Sequence, residues 1–315
     1  MKRALVIGLN NYPGAELQAC INDAKEVSAI IERNQDGTPN FAVKLVTDEH
    51  QTIDKAILKK LIKELFDGDD TVLLYFAGHG IVNAIGGYIV TPDFQDYDEG
   101  ISMDEILVLA NKSNARNKII ILDCCHSGKM GSHDLGKADA SQIGQGMTIL
   151  TSCKSSEAAI EQSGRGVFTS LLLEALQGGA ADLTGNVTPG SIYWFVDKAL
   201  GPWDQRPVFK TNVSAYVSIR SVNPPIALEV LRRITTYFDT PYHEIQLNPT
   251  FEDSEKETAI LENVKVFKDL QKLVSVGVVK PVGEEHMYYA AMNSRSCKLT
   301  TLGQCYWRFV SEGRL

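Results

Sequence analysis

Short aliphatic runs and amphipathic stretches alternate along the first two thirds of the chain. Residues 4–9, 41–46, 71–76, 118–122 and 147–151 are rich in Val, Ile and Leu, end at glycine or polar residues, and read as buried strands. A loop, Asn10-Asn11-Tyr12-Pro13-Gly14, leaves the first of them. Residues 22–33 then place Val27, Ile30 and Ile31 on one helical face behind Asn22-Asp23-Ala24, a sequence able to cap a helix. Residues 52–66 repeat that plan with Ile53, Ala56, Ile57, Leu61 and Leu65. Such alternation predicts an α/β unit with a mainly parallel central sheet, flanked by helices through right-handed crossovers.

Later segments are predicted in the same way. Residues 86–93 read as a hairpin or short strand running into a solvated acidic loop with Asp93, Asp96, Asp98 and Glu99. Residues 129–146, rich in Gly, Ser and Asp, read as a surface loop. Helices are expected over 170–177 and from Pro189 to near residue 200, and a last strand over 213–219. Ser221-Val222-Asn223-Pro224-Pro225 marks a boundary, which gives domains of 1–222 and 223–315.

The tail reads as a helix over 226–238, a helix over 264–276, a hairpin over 278–291 and a helix over 303–310. That is the order of a small α+β, winged-helix-like module. Lys265, Lys268 and Lys272 share one helical face and could meet DNA phosphates, but Glu255, Glu257, Glu262 and Asp269 nearly cancel them. A regulatory or interaction module that contacts protein or senses a ligand is favoured over DNA binding.

Composition narrows the function. With 315 residues, 44% apolar and 22% charged, the chain has ample core for two domains. A net charge of -8 argues against general binding to nucleic acid or anionic membrane and suits a cationic peptide substrate. Six cysteines, at 20, 124, 125, 153, 297 and 305, form neither a disulfide framework nor a paired metal-ligand motif. With no signal peptide and no long apolar run, a soluble, cytoplasmic protein is expected.

Two of the predicted strands run into reactive residues. One ends in Ala77-Gly78-His79-Gly80 and the other in Asp123-Cys124-Cys125-His126-Ser127-Gly128. If the strands are parallel neighbours, both clusters emerge at one sheet edge, the usual place for chemistry in an open α/β sheet. Amide cleavage needs a nucleophile, a base in reach and donors aimed at the developing oxyanion. A thiol beside a histidine supplies the first two. Successive strand residues face opposite sides, so only one of Cys124 and Cys125 faces the cleft. His126, adjacent in sequence, is poorly placed as base and reads as a packing or hydrogen-bonding residue. Consecutive Cys124, Cys125 and His126 do not suit a tetrahedral metal, and Gly128-Lys129 lacks the glycines of a phosphate loop.

Tyr75-Phe76-Ala77-Gly78-His79-Gly80 and Asp123-Cys124-Cys125-His126-Ser127-Gly128 resemble the His and Cys motifs of caspase-like cysteine peptidases, in the metacaspase and bacterial branch. Their spacing, 125 minus 79 or 46 residues, is near the roughly 50 of caspases. The similarity runs from about residue 2 to 217 and leaves out the tail. It implies a caspase-like fold, Cys125 as nucleophile, His79 as base and then acid, and the N–H groups of Gly80 and Cys125 as oxyanion hole. Asp123, two residues before Cys125, shares its face and would select Arg or Lys at the cleaved position.

Cys20-Ile21-Asn22-Asp23 resembles the segment that carries a second pocket aspartate, although Asp23 reads equally well as an acid at a helix start. Ser152, in a segment that looks like the small-subunit part of such domains, joins the implied substrate-binding set. Ala77 departs from the serine common before Gly-His, which leaves pocket details open. Many metacaspases use calcium, but the acids at 93–99 lack the glycine spacing of an EF-hand, so no cofactor is expected and calcium is an alternative that is not favoured.

The expected activity is that of an endopeptidase acting on polypeptides after Arg or Lys, able to cut itself at Lys129, Lys137 or Arg165. An activating protein or nucleotide-derived small molecule would act through the tail, in stress or antiviral defence by analogy with similar proteins. The alternative is a catalytically silent caspase-like scaffold or winged-helix regulator that acts by binding.

Overall fold

The apolar runs become neighbouring strands of one sheet in the computed structural model, which describes residues 1–83, 86–95, 98–124, 143–152, 161–162, 165–200, 206–253 and 258–315. Two units are distinguished, Met1–Asn223 and Pro224–Leu315. The first contains, in chain order, β1 (Arg3–Gly8), α1 (Cys20–Ile31), β2 (Ala42–Thr47), α2 (Lys55–Phe66), β3 (Thr71–Ala77), β4 (Gly80–Val82), β5 (Gly87–Gln95), β6 (Asp98–Ser102) and α3 (Met103–Lys112). It continues through β7 (Asn117–Asp123), β8 (Met147–Thr151), β9 (Glu161–Gln162), β10 (Arg165–Gly166), α4 (Val167–Glu174), β11 (Asn186–Val187), α5 (Pro189–Leu200), β12 (Val208–Asn212) and β13 (Arg220–Ser221).

The central sheet has the order β12-β8-β7-β3-β1-β2, with every pair parallel except β12 against β8. Alternation along its strands makes two cores. Leu5, Ile7, Leu74, Phe76, Ile120 and Leu122 meet Leu58 and Ile62 of α2 and Ile106 and Leu107 of α3. Ala4, Val6, Leu73, Tyr75, Ile119 and Ile121 meet Val27 of α1, Leu172 of α4 and Val196 of α5 on the other face. Helices therefore cover both faces.

Several local expectations are corrected. Helix α2 begins at Lys55 rather than residue 52, because the Asp54 carboxylate accepts the Ile57 N–H at 2.7 Å and caps it there. Helix α3 was not anticipated, although Ser102 caps it and Met103, Ile106, Leu107 and Ala110 are its buried stripe. The supposed acidic loop is largely strand: Asp93 lies on β5 and Asp98 opens β6, which pair antiparallel. Asp93 accepts the Lys55 N–H at 3.2 Å and Asp98 pairs with the Lys55 ammonium, so these acids hold the start of α2. Asp96 lies outside the described residues.

Helix α4 starts at Val167 and gives way to a wide turn at Ala175–Gly179, where Gly178 has a φ of 130°. The last sheet strand is β12, not 213–219, because β8 offers five residues and Val208 to Asn212 use all of them.

The second unit holds α6 (Leu228–Arg232), α7 (Ile234–Tyr237), β14 (Glu244–Gln246), α8 (Leu261–Ser275), β15 (Val279–Val282), α9 (Met287–Met292), β16 (Ser296–Leu299) and α10 (Thr301–Ser311). Its sheet, ordered β14-β16-β15, is antiparallel. The expected helix over 226–238 is two short ones. The expected hairpin over 278–291 is instead β15, a turn at Gly283 with φ 77°, and α9, with β16 as the partner of β15. Buried Asp269 accepts from Arg233 at 2.9 and 2.6 Å and from the Tyr237 hydroxyl at 2.6 Å. Lys268 pairs with Asp253 at 2.7 Å and Lys272 lies 3.7 Å from Asp269. Among the described residues, no helix is long and apolar enough to cross a membrane.

Candidate active site

Ala77 stands opposite Asp123 in the parallel pair β3–β7, so the two strands end level at the carboxyl edge of the sheet. The Gly78 N–H donates to the Asp123 carbonyl at 3.4 Å. His79, one residue further and partly buried, has its backbone held on both sides. Its N–H donates to the Tyr12 hydroxyl at 3.2 Å, and its carbonyl accepts from Val90 N–H at 2.9 Å. The Tyr12 hydroxyl donates onward to the Val90 carbonyl at 3.3 Å, and its ring meets the imidazole edge-on at 4.6 Å. A methyl group at residue 78 would collide with the Tyr12 hydroxyl, so glycine there lets the tyrosine reach the His79 backbone. Burial, opposed in part by the His79 N–H, pushes the Tyr12 phenol well above its ordinary value. It stays protonated and remains a donor.

The imidazole itself has a defined orientation. His79 Nε2 lies 2.6 Å from the Ala15 carbonyl. A carbonyl only accepts, so Nε2 carries the proton and Nδ1 of the neutral ring keeps its lone pair. The bond from Val90 N–H to the His79 carbonyl makes Gly80 and Ile89 a pair that exchanges no hydrogen bonds, which turns the Gly80 N–H away from β5.

Beside this edge two acids converge. Asp123 ends β7 and Asp23 lies in the first turn of α1, and they are 8% and 2% exposed. The Gly166 N–H donates to Asp23 Oδ2 at 3.1 Å, and a methyl group on Gly166 would stand 2.7 Å from Asp123 Oδ2 and 3.2 Å from Asp23 Oδ2. Asp123 Oδ2 also accepts the Thr169 hydroxyl at 2.6 Å, and Thr169 accepts from the Tyr75 hydroxyl at 2.6 Å. Burial first, and then the charges of Asp123 and Asp23, push the Tyr75 phenol well above its ordinary value. Asp23 is therefore no helix cap: α1 begins at Cys20 behind Ala19, and the Asp23 side chain reaches across to the start of α4.

Cys124 is fully buried in the core on the α2–α3 face of the sheet. Ser152, 2% exposed just past β8, donates its N–H to the Leu122 carbonyl at 2.9 Å and its hydroxyl to the Cys124 carbonyl at 3.4 Å. Cys125, His126, Lys129 and Lys137 lie outside the described residues. The backbone of Arg165 belongs to β10, paired with β9 immediately before Gly166. Among the described residues no three His, Cys, Asp or Glu side chains gather as a metal site.

The family model described as caspase domain matches residues 1–215. The chain belongs to the caspase family. Membership brings a cysteine peptidase-like hydrolase domain with polypeptide as its substrate class. The match stops short of the second unit. Among solved structures, a protein from Geobacter sulfurreducens is similar over 70% of this chain and 99% of its own, at 18% identity and a TM-score of 0.51. Caspase-1 from Spodoptera frugiperda is similar over 70% of this chain and 90% of its own, at 12% identity and a TM-score of 0.50. At such identities the likeness is one of fold. No curated protein matches the chain.

The caspase fold brings together four elements that a reading by motif keeps apart, namely β3, β7, the start of α1 and the start of α4. Sequence reasoning missed Tyr12, Thr169 and the Ala15 carbonyl. Tyr12 and Thr169 stood in segments assigned to a loop and a helix opening, and a main-chain carbonyl leaves no trace in residue type. Gly166, directly before a helix, carried a signal that close backbone approach was needed there.

Proposed function

We propose that this chain is a cysteine endopeptidase that cleaves polypeptides after Arg or Lys, with Cys125 as nucleophile and His79 as general base. The observation that carries the reading is the convergence of buried Asp23 and Asp123 on Gly166, beside the strand end that bears His79. Two carboxylates in a low-dielectric recess favour a guanidinium or ammonium and repel an acidic side chain. Ser152, buried beside the Cys124 carbonyl, is proposed as part of the same substrate site.

His79 Nδ1 takes the Cys125 thiol proton and the thiolate adds to the peptide carbonyl carbon. The oxyanion meets the N–H groups of Gly80 and Cys125. As the tetrahedral species collapses, the peptide C–N bond breaks, and His79 returns the proton to the leaving amine. The imidazole then activates water, which releases the acid product from the thioester. The Ala15 carbonyl on Nε2–H keeps the ring in the tautomer this sequence needs. The unit Pro224–Leu315 is proposed as the regulatory or interaction module, answering a protein or a nucleotide-derived signal, with a defence or stress role resting on analogy of fold.

Fluorogenic peptides with Arg, Lys or Asp at the cleaved position test the reading on wild type, Cys125→Ala and Asp123→Asn. Arg and Lys peptides should be cut and Asp peptides left intact. Asp123→Asn should lose about 2–5 kcal/mol of transition-state binding for Arg, the scale for breaking a desolvated charge pair. Cleavage after Asp would overturn the pocket, and no cleavage by activated wild type would leave a binding scaffold as the function.

A further inference from the structure

The loop that holds His79 is itself held from a third strand. Asp48 follows β2, the edge strand of the sheet, by one residue and is 6% exposed. Its Oδ1 accepts the Asn10 N–H at 3.0 Å, and its Oδ2 accepts the same N–H at 3.1 Å and the Asn11 N–H at 2.7 Å. The Asn11 side-chain amide returns a bond to the Asp48 carbonyl at 2.6 Å. Asn10 is therefore pinned, and the rest of the loop is built from it. Its carbonyl accepts from Tyr12 N–H at 3.1 Å and from Leu17 N–H at 2.9 Å, while Ala15 N–H donates to the Tyr12 carbonyl at 3.0 Å. The Asn10 side-chain oxygen also accepts the Ile21 N–H at 3.3 Å, in the helix that carries Asp23.

Every described contact that orients His79 from this side passes through that loop. Tyr12 clamps the histidine backbone, and the Ala15 carbonyl selects the imidazole tautomer. Without an anchor, a loop containing Pro13 and Gly14 has no regular backbone ladder to fix the height of the Ala15 carbonyl against Nε2. The Asp48 carboxylate supplies that anchor by accepting two successive N–H groups in charge-assisted bonds.

We propose that Asp48 is a positioning residue for the base. It acts through Asn10 and Asn11 to hold Tyr12 and the Ala15 carbonyl against His79, and so keeps the imidazole in the Nε2–H tautomer. The proposal rests on the reading of His79 as general base. It touches no substrate and is separate from the charge of the specificity pocket.

Two readouts on the full chain decide it. Long-range 1H–15N spectra of protein labelled at histidine, with the His79 signals assigned by His79→Gln, report the tautomer without any need for turnover. Wild type should show one Nε2–H species, and Asp48→Asn and Asp48→Ala should show mixed tautomers. For the Arg peptide, kcat of these variants should fall about 10- to 100-fold with KM within about twofold of wild type, the pattern for losing an orienting contact. Asp48→Asn keeps the volume and one oxygen acceptor, so it decides the matter if Asp48→Ala does not fold. A folded Asp48→Asn with an unchanged His79 tautomer overturns the proposal. Absence of peptidase activity in wild type would sink the proposed function alone, because the spectra still report on Asp48.

Discussion

Thr169 Oγ1 lies 2.6 Å from Asp123 Oδ2 and 2.6 Å from the Tyr75 hydroxyl, so one threonine joins a strand tyrosine to the acid at the end of the neighbouring strand. Thr169 has a single hydroxyl proton and gives it to the carboxylate, hence Tyr75 must donate to Thr169. The chain is fully directional and ends on Asp123.

Thr169→Val keeps the shape and removes the hydroxyl. It leaves a buried carboxylate oxygen and a buried phenol each short of a bond, which should lower stability by about 1–3 kcal/mol. With Asp123 less well oriented, KM for Arg peptides should rise while the pH profile of kcat, set by the base, stays in place. Unchanged KM in a folded Thr169→Val would show that this hydroxyl serves packing alone.

The two adjacent thiols should behave differently. Cys125→Ala or His79→Ala is expected to abolish cleavage, whereas Cys124→Ala should keep at least about a tenth of it. Cys124 is fully buried in the core, so its replacement should be felt in stability instead, by about 1 kcal/mol. Denaturant unfolding beside single-turnover cleavage separates these effects. A folded, inactive Cys124→Ala together with an active Cys125→Ala would reverse the assignment.

Burial, with a smaller contribution from Glu244, pushes the Cys297 thiol up to about 12 from its ordinary 9.0. The folded state keeps this proton while the unfolded chain loses it, so the stabilisation is complete below about pH 9 and drains away as pH climbs towards 12. The slope contributed in that window is about 1.4 kcal/mol per pH unit. Thermal melts between about pH 8 and pH 10 should show a falling transition for the second unit, and Cys297→Ala should flatten it. An equal slope in the alanine variant would rule Cys297 out as the source.

Both cores and the whole central sheet belong to Met1–Asn223, so deletion of Pro224–Leu315 should leave a folded peptidase domain that no longer answers the full-length chain's activator. An insoluble truncation would place the tail in the folding core instead. Self-cleavage is read separately, by intact mass of active protein and of Cys125→Ala. Cuts after Lys129, Lys137 or Arg165 that vanish in Cys125→Ala are expected, and identical masses under activating conditions would mean no self-processing.

What the residues by themselves determined was the parallel α/β plan. Runs such as Val72 to Phe76 and Ile119 to Leu122 have one stable placement, buried on both faces, and the helical stripes between them leave a right-handed crossover as the connection. The His and Cys motifs were likewise visible because their residue types are rare in such surroundings. Local ends were less so: β12 stops where β8 stops, and β15 finds β16 beyond an intervening helix, since strand pairing depends on a partner distant in sequence. The site's support was decided by tertiary structure alone. Asp23 meets Gly166 across 143 residues, Tyr12 meets His79 across 67, and Asp48 anchors Asn10 across 38, through bonds to main-chain groups that every residue possesses. A pattern of side chains cannot announce such bonds, because the group that receives each carboxylate or hydroxyl is the common backbone N–H, selected only by where the folded chain brings it.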